Sequence, residues 1–561
     1  MTLGLLALSA LLPCATAPTA WQASEFPIGY WCGPDAAHNT LAGWQTVKDA
    51  GFTFGGMTGY GTAGNKQMLD FCRQVGLKAM VVDGRVNAQM VVGDHWRERL
   101  AEVVADYGQH PALLGYFLQD EPNYREFAAL GQVVQELRRI DPAHLTYINL
   151  FPTYASTEQL GAPSYADHLQ KFLDIVQPGV LSYDHYALMK DGGLRADYFE
   201  NLALIREAAL RHGVPAWDIF LSLSHLGYRD PSAAEMRWQA YTALAYGMKG
   251  LLYFTYWTFP EWEKEGGIGI VHPDGQPARL YPIVQAVNRE VQALGPTLLG
   301  LTSTAVYHTG PIPAGCTRLP GDAILRVVDD PALVIGCFVD AQQRLYVMLV
   351  NRDYAKPVDL VVHFRAHVQQ VLALSPQDGR EQALPLEQHT LKLTLPAGDG
   401  RLLRLATEFV YPEPPKPLTD LAFEFDQADD LQGWAGFNHL AQPVVKDGVL
   451  TMTFTGDDPF LSRSMLRLAP DRYKALRVRM KLDSGQPQGQ VFWATGDEPE
   501  YRDDKYLNFP VQPDGEWHEY TIPVGQHAKW KGQTIIALRL DPTTGGAKTG
   551  SQVAVDWIRG E

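Results

Sequence analysis

The sequence predicts an α/β fold, a (β/α)8 barrel (TIM barrel) followed by two β-sandwich domains, and three observations predict it. Residues 26–257 alternate short apolar runs with helix-like segments. After Gly300 the helical pattern ceases and short alternating strands take over. A proline-rich stretch, "YPEPPKP" at 411–417, then divides the β-rich remainder in two. Strands alternating with helices imply a parallel sheet. Eight such units within about 250 residues suit a closed barrel.

In order, the strand runs are "FPIGYWCGP", "FTFGGMTG", "LKAMVVDGR", "LLGYFLQDEP", "LTYINLFPTY", "VLSYDHYAL", "IFLSLSHLGY" and "LLYFTYW". Between them lie segments such as "NKQMLDFCRQVG" and "REFAALGQVVQELRRI", whose apolar residues recur at three and four, the spacing of one helix face. A doubly wound open sheet is the competing topology, but no GxGxxG or phosphate-binding loop opens any of these helices. "LYPIVQAVNREVQALG", 280–295, is the expected last helix, so the barrel is assigned 21–300. Strands such as "RLYVMLVN" and "LVVHFRA" assign 301–410 to an antiparallel sandwich. The linker 411–417 is stiffened by its prolines, and 418–561 forms a second β-rich unit.

Length and composition bound the rest. A chain of 561 residues exceeds one ordinary core. Its formal net charge of −16, with no long basic run, argues against nucleic acid and anionic membrane as partners. The first twenty residues, "MTLGLLALSALLPCATAPTA", read as a secretory signal peptide: an apolar run at 3–12 followed by small residues, too short to span a membrane permanently. The expected location is therefore secreted or periplasmic. Cys316 and Cys337, in one β-rich segment, are a candidate disulfide pair, while Cys32 and Cys72 read as buried thiols. There is no CxxC and no zinc spacing, so neither metal nor cofactor is expected.

Chemistry on a (β/α)8 barrel sits at the C-terminal ends of the strands. Those ends carry Trp31 and Cys32; Asp83 and Arg85; Asp120 and Glu121; Asn149 and Tyr154; Asp184, His185 and Tyr186; His225 and Tyr228; and Tyr256 and Trp257. The fourth is the most telling. In "GYFLQDEPN", 115–123, an apolar strand runs straight into two acids and is stopped by Pro122. A carboxyl crowded by another acid on an apolar floor has its pKa raised. Such a group can protonate a poor leaving group while a second carboxylate stabilises or traps an oxocarbenium-like centre. Glu121 is the candidate acid/base and Asp184 the candidate second carboxylate, with Glu261 and Glu263 after strand 8 as alternatives. Asp120, Trp31, His185, Tyr186, His225, Tyr256 and Trp257 are candidates for binding a sugar. A metal held by Asp120, Asp184, His185 and His225 is the weaker reading, because no HxH or HExxH concentrates the ligands.

The "QDEP" that ends strand 4 resembles the Asn-Glu-Pro at that place in clan-A glycoside hydrolases of the retaining type. "RWQAYTALAYGMKGLLYFTYW", 237–257, looks like the approach to strand 8 in β-galactosidase-like enzymes. The resemblance covers roughly residues 25–300. It implies a carbohydrate substrate, a retaining mechanism and Glu121 as acid/base. Two departures stand out: Asp120 replaces the usual Asn, and strand 7 has no Glu where that group places its nucleophile. A catalytically inactive glycan-binding barrel is the alternative those departures support. The segments "DGEWHEYTIPV" and "LRLDPTT" give 418–561 the look of a carbohydrate-binding module, with Trp434, Phe437 and Trp493 as a candidate platform and the sandwich core as the alternative place for at least one of them.

Overall fold

The computed structural model describes residues 21–407, 418–428, 430–496 and 498–561. The signal-like segment 1–20 and the linker 411–417 lie outside the described residues. Eight parallel strands are present: β1 (Ile28–Tyr30), β2 (Phe54–Gly56), β3 (Lys78–Val82), β4 (Leu113–Asp120), β5 (Leu145–Leu150), β6 (Leu181–Asp184), β7 (Ala216–Leu221) and β8 (Gly250–Phe254). They pair in the order β1-β8-β7-β6-β5-β4-β3-β2. The seam between β1 and β2 is bridged by Thr53, whose N–H donates to Ile28 O at 2.9 Å and whose hydroxyl accepts from Ile28 N–H at 2.8 Å. The barrel is thus nearly closed.

The helices are α1 (Leu41–Asp49), α2 (Gly61–Val75), α3 (Trp96–Tyr107), α4 (Phe127–Ile140), α5 (Thr157–Leu160), α6 (Tyr165–Val176), α7 (Tyr198–His212), α8 (Ala233–Ala245), α9 (Pro260–Lys264) and α10 (Tyr281–Gly300). α4 shows why they form. Phe127, Leu130, Val133, Val134 and Leu137 recur at three and four and are all buried, giving one apolar stripe against the barrel. α10 continues past the expected stop at 295 and carries Pro296 inside it.

Alternation along the strands divides the core. Phe54, Met80, Leu145, Tyr147, Trp217, Ile219 and Leu252 cluster inside the barrel. Tyr30, Val81, Tyr116, Leu118, Ile148, Leu150, Tyr183 and Tyr253 point out under the helices. Gly115 has a steric reason: a Cβ there would lie 2.1 Å from the Leu145 carbonyl oxygen, so only glycine lets β4 approach β5 this closely.

Residues 302–407 form antiparallel sheets around their own apolar cluster of Leu333, Ile335, Leu349, Val362 and Leu403, among others. Val334, Phe338, Tyr346, Met348 and Val350 face the other way and join the apolar cluster of the barrel helices, and residues 21–407 belong to one compact unit. Cys316 and Cys337 do not pair; both thiols are free.

Residues 412–561 make a second compact unit. Five ranges pair as one sheet in the order Leu440–Lys446, Val449–Phe454, Gln552–Gly560, Leu476–Leu482 and His518–Ile522. The other sheet runs Ala435–Asn438, Phe460–Arg463, Ile535–Asp541, Gln488–Thr495 and Tyr506–Pro510. The expected aromatic platform is not on its surface. Trp434 is 2% exposed against Phe423, and Trp493 is 0% exposed against Trp530. Both fill the core between the sheets, which in a unit this small needs large apolar side chains; Phe437 is partly buried against the same core. No helix among the described residues is long and apolar enough to cross a membrane.

Candidate active site

The site is built by a departure from strand regularity at the end of β4. Phe117 pairs with Tyr147, but Gln119 pairs with Ile148 and Asp120 with Asn149, so one extra residue bulges out of β4. Simple alternation from the inward Phe117 would send Asp120 outward under the helices. The bulge restores it to the register of Asn149, inside the barrel mouth. Glu121 would then turn away, but its φ is +43°. This left-handed conformation costs a non-glycine residue about 1 kcal/mol and breaks the alternation. Its N–H is held by Asn149 O at 2.8 Å, Pro122 prevents the strand from continuing, and Asn123 with Glu126 forms a capping box that starts the next turn. The two acids that end the run therefore share one side of the rim.

Asp184 ends β6 and is 6% exposed. One side-chain amide links it to the β4 acids. Asn149 Nδ2 donates to Asp184 Oδ1 at 2.8 Å and to Asp120 Oδ1 at 3.2 Å, so those two oxygens lie no farther apart than the sum of these bonds. Burial drives Asp120 up to about 6, against the Asn149 hydrogen bond that pulls it down. Burial first, and then the charge of Asp120, raise Glu121 to about 7. Asp184 is raised well above the ordinary carboxylate range by burial and by the charges of Glu121 and Asp120; hydrogen bonding from Asn149 and Tyr186 opposes this. Crowding of three carboxyls disfavours ionising all of them together, so the cluster retains protons at higher pH than isolated carboxyls do.

Aromatic rings wall this cluster. Tyr186 packs on His225 (5.6 Å between ring centres), Tyr228 (5.5 Å) and Phe254 (5.1 Å). Trp31 meets Phe117 at 5.5 Å across the barrel mouth. His225, 8% exposed, also lies 6.0 Å from Trp262, and burial holds its imidazole below the usual value. Arg195 stacks on Tyr154 at 3.8 Å and donates to the Tyr228 hydroxyl at 2.9 Å.

Several expected site residues lie elsewhere. His185 is fully buried between Tyr154 and Tyr198, with Asp197 at 3.4 Å, because alternation turns it outward from the inward-facing Asp184. Tyr256 is 1% exposed, stacked on Tyr30 at 4.6 Å, and Trp257 is 3% exposed against His38 at 4.8 Å. All three are packing residues. Glu261 and Glu263 are exposed on α9, and Glu263 has His272 at 3.9 Å. Trp262, between them, is the α9 residue that joins the aromatic wall. Asp83 is engaged by Arg85 at 2.8 Å and by the Tyr107 hydroxyl at 2.7 Å. Asn149 is the side chain of the cluster that residue types alone did not single out; its signal was its place at the end of the strand beside β4.

No family model and no curated protein matches the chain. It is similar in fold to solved structures of glycoside hydrolases. A β-galactosidase from the psychrophilic Marinomonas ef1 is 12% identical over 50% of this chain and 62% of its own, with a TM-score of 0.40. A glycoside hydrolase family 5 protein from Bacteroides vulgatus is 9% identical over 69% and 91%, with a TM-score of 0.46. A β-galactosidase from Bacillus circulans sp. alkalophilus is 10% identical over 68% and 99%, with a TM-score of 0.47. The barrel and the antiparallel sheets that follow it are established by this chain's own strand pairing.

Proposed function

We propose that this protein is an exported hydrolase of glycosidic bonds in a poly- or oligosaccharide. The observation that carries the reading is the grouping of Asp120, Glu121 and Asp184 on one rim, with raised proton affinity and with the half-buried Tyr186 ring beside them. Glu121 is the general acid/base and Asp184 the nucleophile. Protonated Glu121 gives its proton to the leaving oxygen as the glycosidic C–O bond breaks and Asp184 bonds the anomeric carbon. Water then attacks that carbon, Glu121 takes its proton, and the Asp184 ester is released. The clan-A resemblance of the strand-4 ending favours retention, with the two carboxyls at the shorter spacing that a nucleophile requires. Tyr186, His225, Trp31 and Asp120 shape the sugar site. Screening a glycan library with the wild type and Glu121→Gln tests the reading; release of sugar that survives the substitution unchanged refutes it.

The second reading is a glycan-binding barrel without turnover. It is favoured by β7, whose C-terminal end carries Ser222, Ser224 and His225 and no carboxylate. It expects glycan binding with no product after long incubation.

With Trp434 and Trp493 in the core, glycan binding by 418–561 falls to a different surface. The Arg539 guanidinium lies 3.7 Å over Phe460 and 4.8 Å over Phe492, and Tyr506 stacks on Phe492 at 5.0 Å. Phe492→Ala should abolish retardation of this protein in polysaccharide-containing gels if that row of rings binds sugar.

A further inference from the structure

The Asn149 amide is itself held from behind. Its Oδ1 accepts from Ser182 Oγ at 3.2 Å, and Ser182 Oγ lies 2.7 Å from the Tyr147 hydroxyl. Ser182 has one proton, and Asn149 Oδ1 cannot donate one. The Ser182 proton therefore goes to Asn149, and the Tyr147 hydroxyl donates to Ser182. Tyr147 and Ser182 are fully buried and Asn149 is 2% exposed, so no bulk water can substitute for a member. A flipped amide would aim its oxygen at Asp120 and Asp184 and its hydrogens at the Ser182 hydroxyl. The two hydrogens of Asn149 are thus committed to Asp184 and Asp120, while the Glu121 carboxyl receives no hydrogen bond from any described residue.

We propose that Tyr147, Ser182 and Asn149 form a one-way hydrogen-bond chain that decides which rim carboxyl carries the proton, stabilising charge on Asp184 and Asp120 and leaving the proton to Glu121. The inference rests on the reading of Glu121 as the acid of a glycosidase. Asn149 acts on the carboxyls directly; Ser182 and Tyr147 are positioning residues that act through it. Burial presses hardest on Asp184, and the Asn149 donor is the counterweight. The other titratable groups around the cluster do not compete for the role. Tyr154 and Tyr186 beyond β5 and β6, and Tyr147 itself, are pushed upward by burial, as is the Cys32 thiol, to about 11. Burial also lowers the proton affinity of the neighbouring His185 and His225 imidazoles.

Ser182→Ala and Tyr147→Phe each delete one hydroxyl from the chain, and Ser182→Thr keeps it. Two measurements decide. The first is the pH profile of kcat/KM on the best substrate. Both deletions should move the acidic limb upward by about half a pH unit or more, as Asp184 gains proton affinity, and Ser182→Thr should restore it. The second needs no turnover: infrared difference titration of protein labelled with 13C-aspartate. The protonated aspartyl carbonyl band should be stronger at neutral pH in the deletions than in the wild type. Superimposable profiles together with an unchanged aspartyl band overturn the proposal, even if the variants lose thermal stability. If no glycoside is cleaved at all, the functional reading fails separately, and the infrared titration alone then decides whether the chain places the proton.

Discussion

Glu121 is tied to Asn149 through its own backbone, N–H to carbonyl at 2.8 Å, at the point where its φ turns positive. The tie holds the Glu121 side chain beside Asp120 without using its carboxyl, which stays free to transfer a proton. Glu121→Gln preserves the backbone bond and the side-chain shape, so the fold should survive while turnover of a natural glycoside falls by about 10²–10⁴. The loss should shrink sharply on an aryl glycoside whose leaving group needs no proton. An equal loss on both substrates would remove Glu121 from the acid role.

The same environment sets the pH dependence. In the proposed mechanism Glu121 works as an acid while protonated, and burial with the Asp120 charge raises it to about 7. Activity should therefore fall as pH rises through about 7. The acidic limb reports a carboxylate that must be ionised; with burial raising Asp120 to about 6 and Asp184 higher than its ordinary value, that limb lies above the usual Asp range. The outcome is a narrow bell whose two apparent values belong to the cluster rather than to single residues. Loss of the alkaline limb in Glu121→Gln, measured on an activated substrate, checks the assignment.

Asp184 and the α9 acids separate cleanly by mutation. Asp184→Asn should lower kcat by about three orders of magnitude on the argument that it forms the covalent bond. Glu261→Gln and Glu263→Gln, both on solvated positions, should change kcat/KM less than twofold. Trp262→Ala should raise KM, since its ring packs on His225 and Phe254 in the pocket wall. NMR of the first sugar released should show retained anomeric configuration. Inversion, or a severe loss in Glu261→Gln or Glu263→Gln, would displace Asp184 as nucleophile.

The barrel was legible because its signals are local and repeated: apolar runs of strand length, helical periodicity between them, and acids at run ends. Glu121 and Asp184 could be picked out because the fold rule names strand ends. What could not be read was direction within a strand end. A one-residue bulge and one positive φ re-aim Asp120 and Glu121, while plain alternation turns His185 outward; neither event has a fixed sequence signature. Tyr256 and Trp257 sit at a strand end and still pack away from the carboxyls, against Tyr30 and His38, because long-range neighbours decide that. The choice between core and surface for Trp434 and Trp493 was open for the same reason. A tryptophan on a short alternating strand serves core and surface equally well until the partner sheet is known.

The strongest stability prediction concerns a carboxyl the chemistry does not use. Asp218 on β7 alternates with the inward Trp217 and Ile219, so it points into the layer beneath the helices and is fully buried. Neither of its oxygens, nor the nearby Tyr183 hydroxyl, has a hydrogen-bond partner of good geometry among the described residues. Burial raises its pKa to about 7, against the pull of the Tyr183 hydroxyl. An unfolded Asp titrates near about 3.9. The folded chain therefore holds this proton more tightly, and its contribution makes stability fall as pH rises from about 4 through 7, the range in which unfolding releases the proton. Asp218→Asn keeps the shape, stays neutral, and can donate to Tyr183 Oη. It should flatten the pH dependence of Tm over that window, leave Tm little changed near pH 4, and raise it by several degrees at pH 8, where the charge would otherwise be buried on the order of 2–4 kcal/mol uphill. Calorimetric unfolding at the two pH values checks this. A variant less stable than the wild type at pH 8 would mean that the Asp218 charge has a partner, such as an enclosed water, that makes its burial favourable.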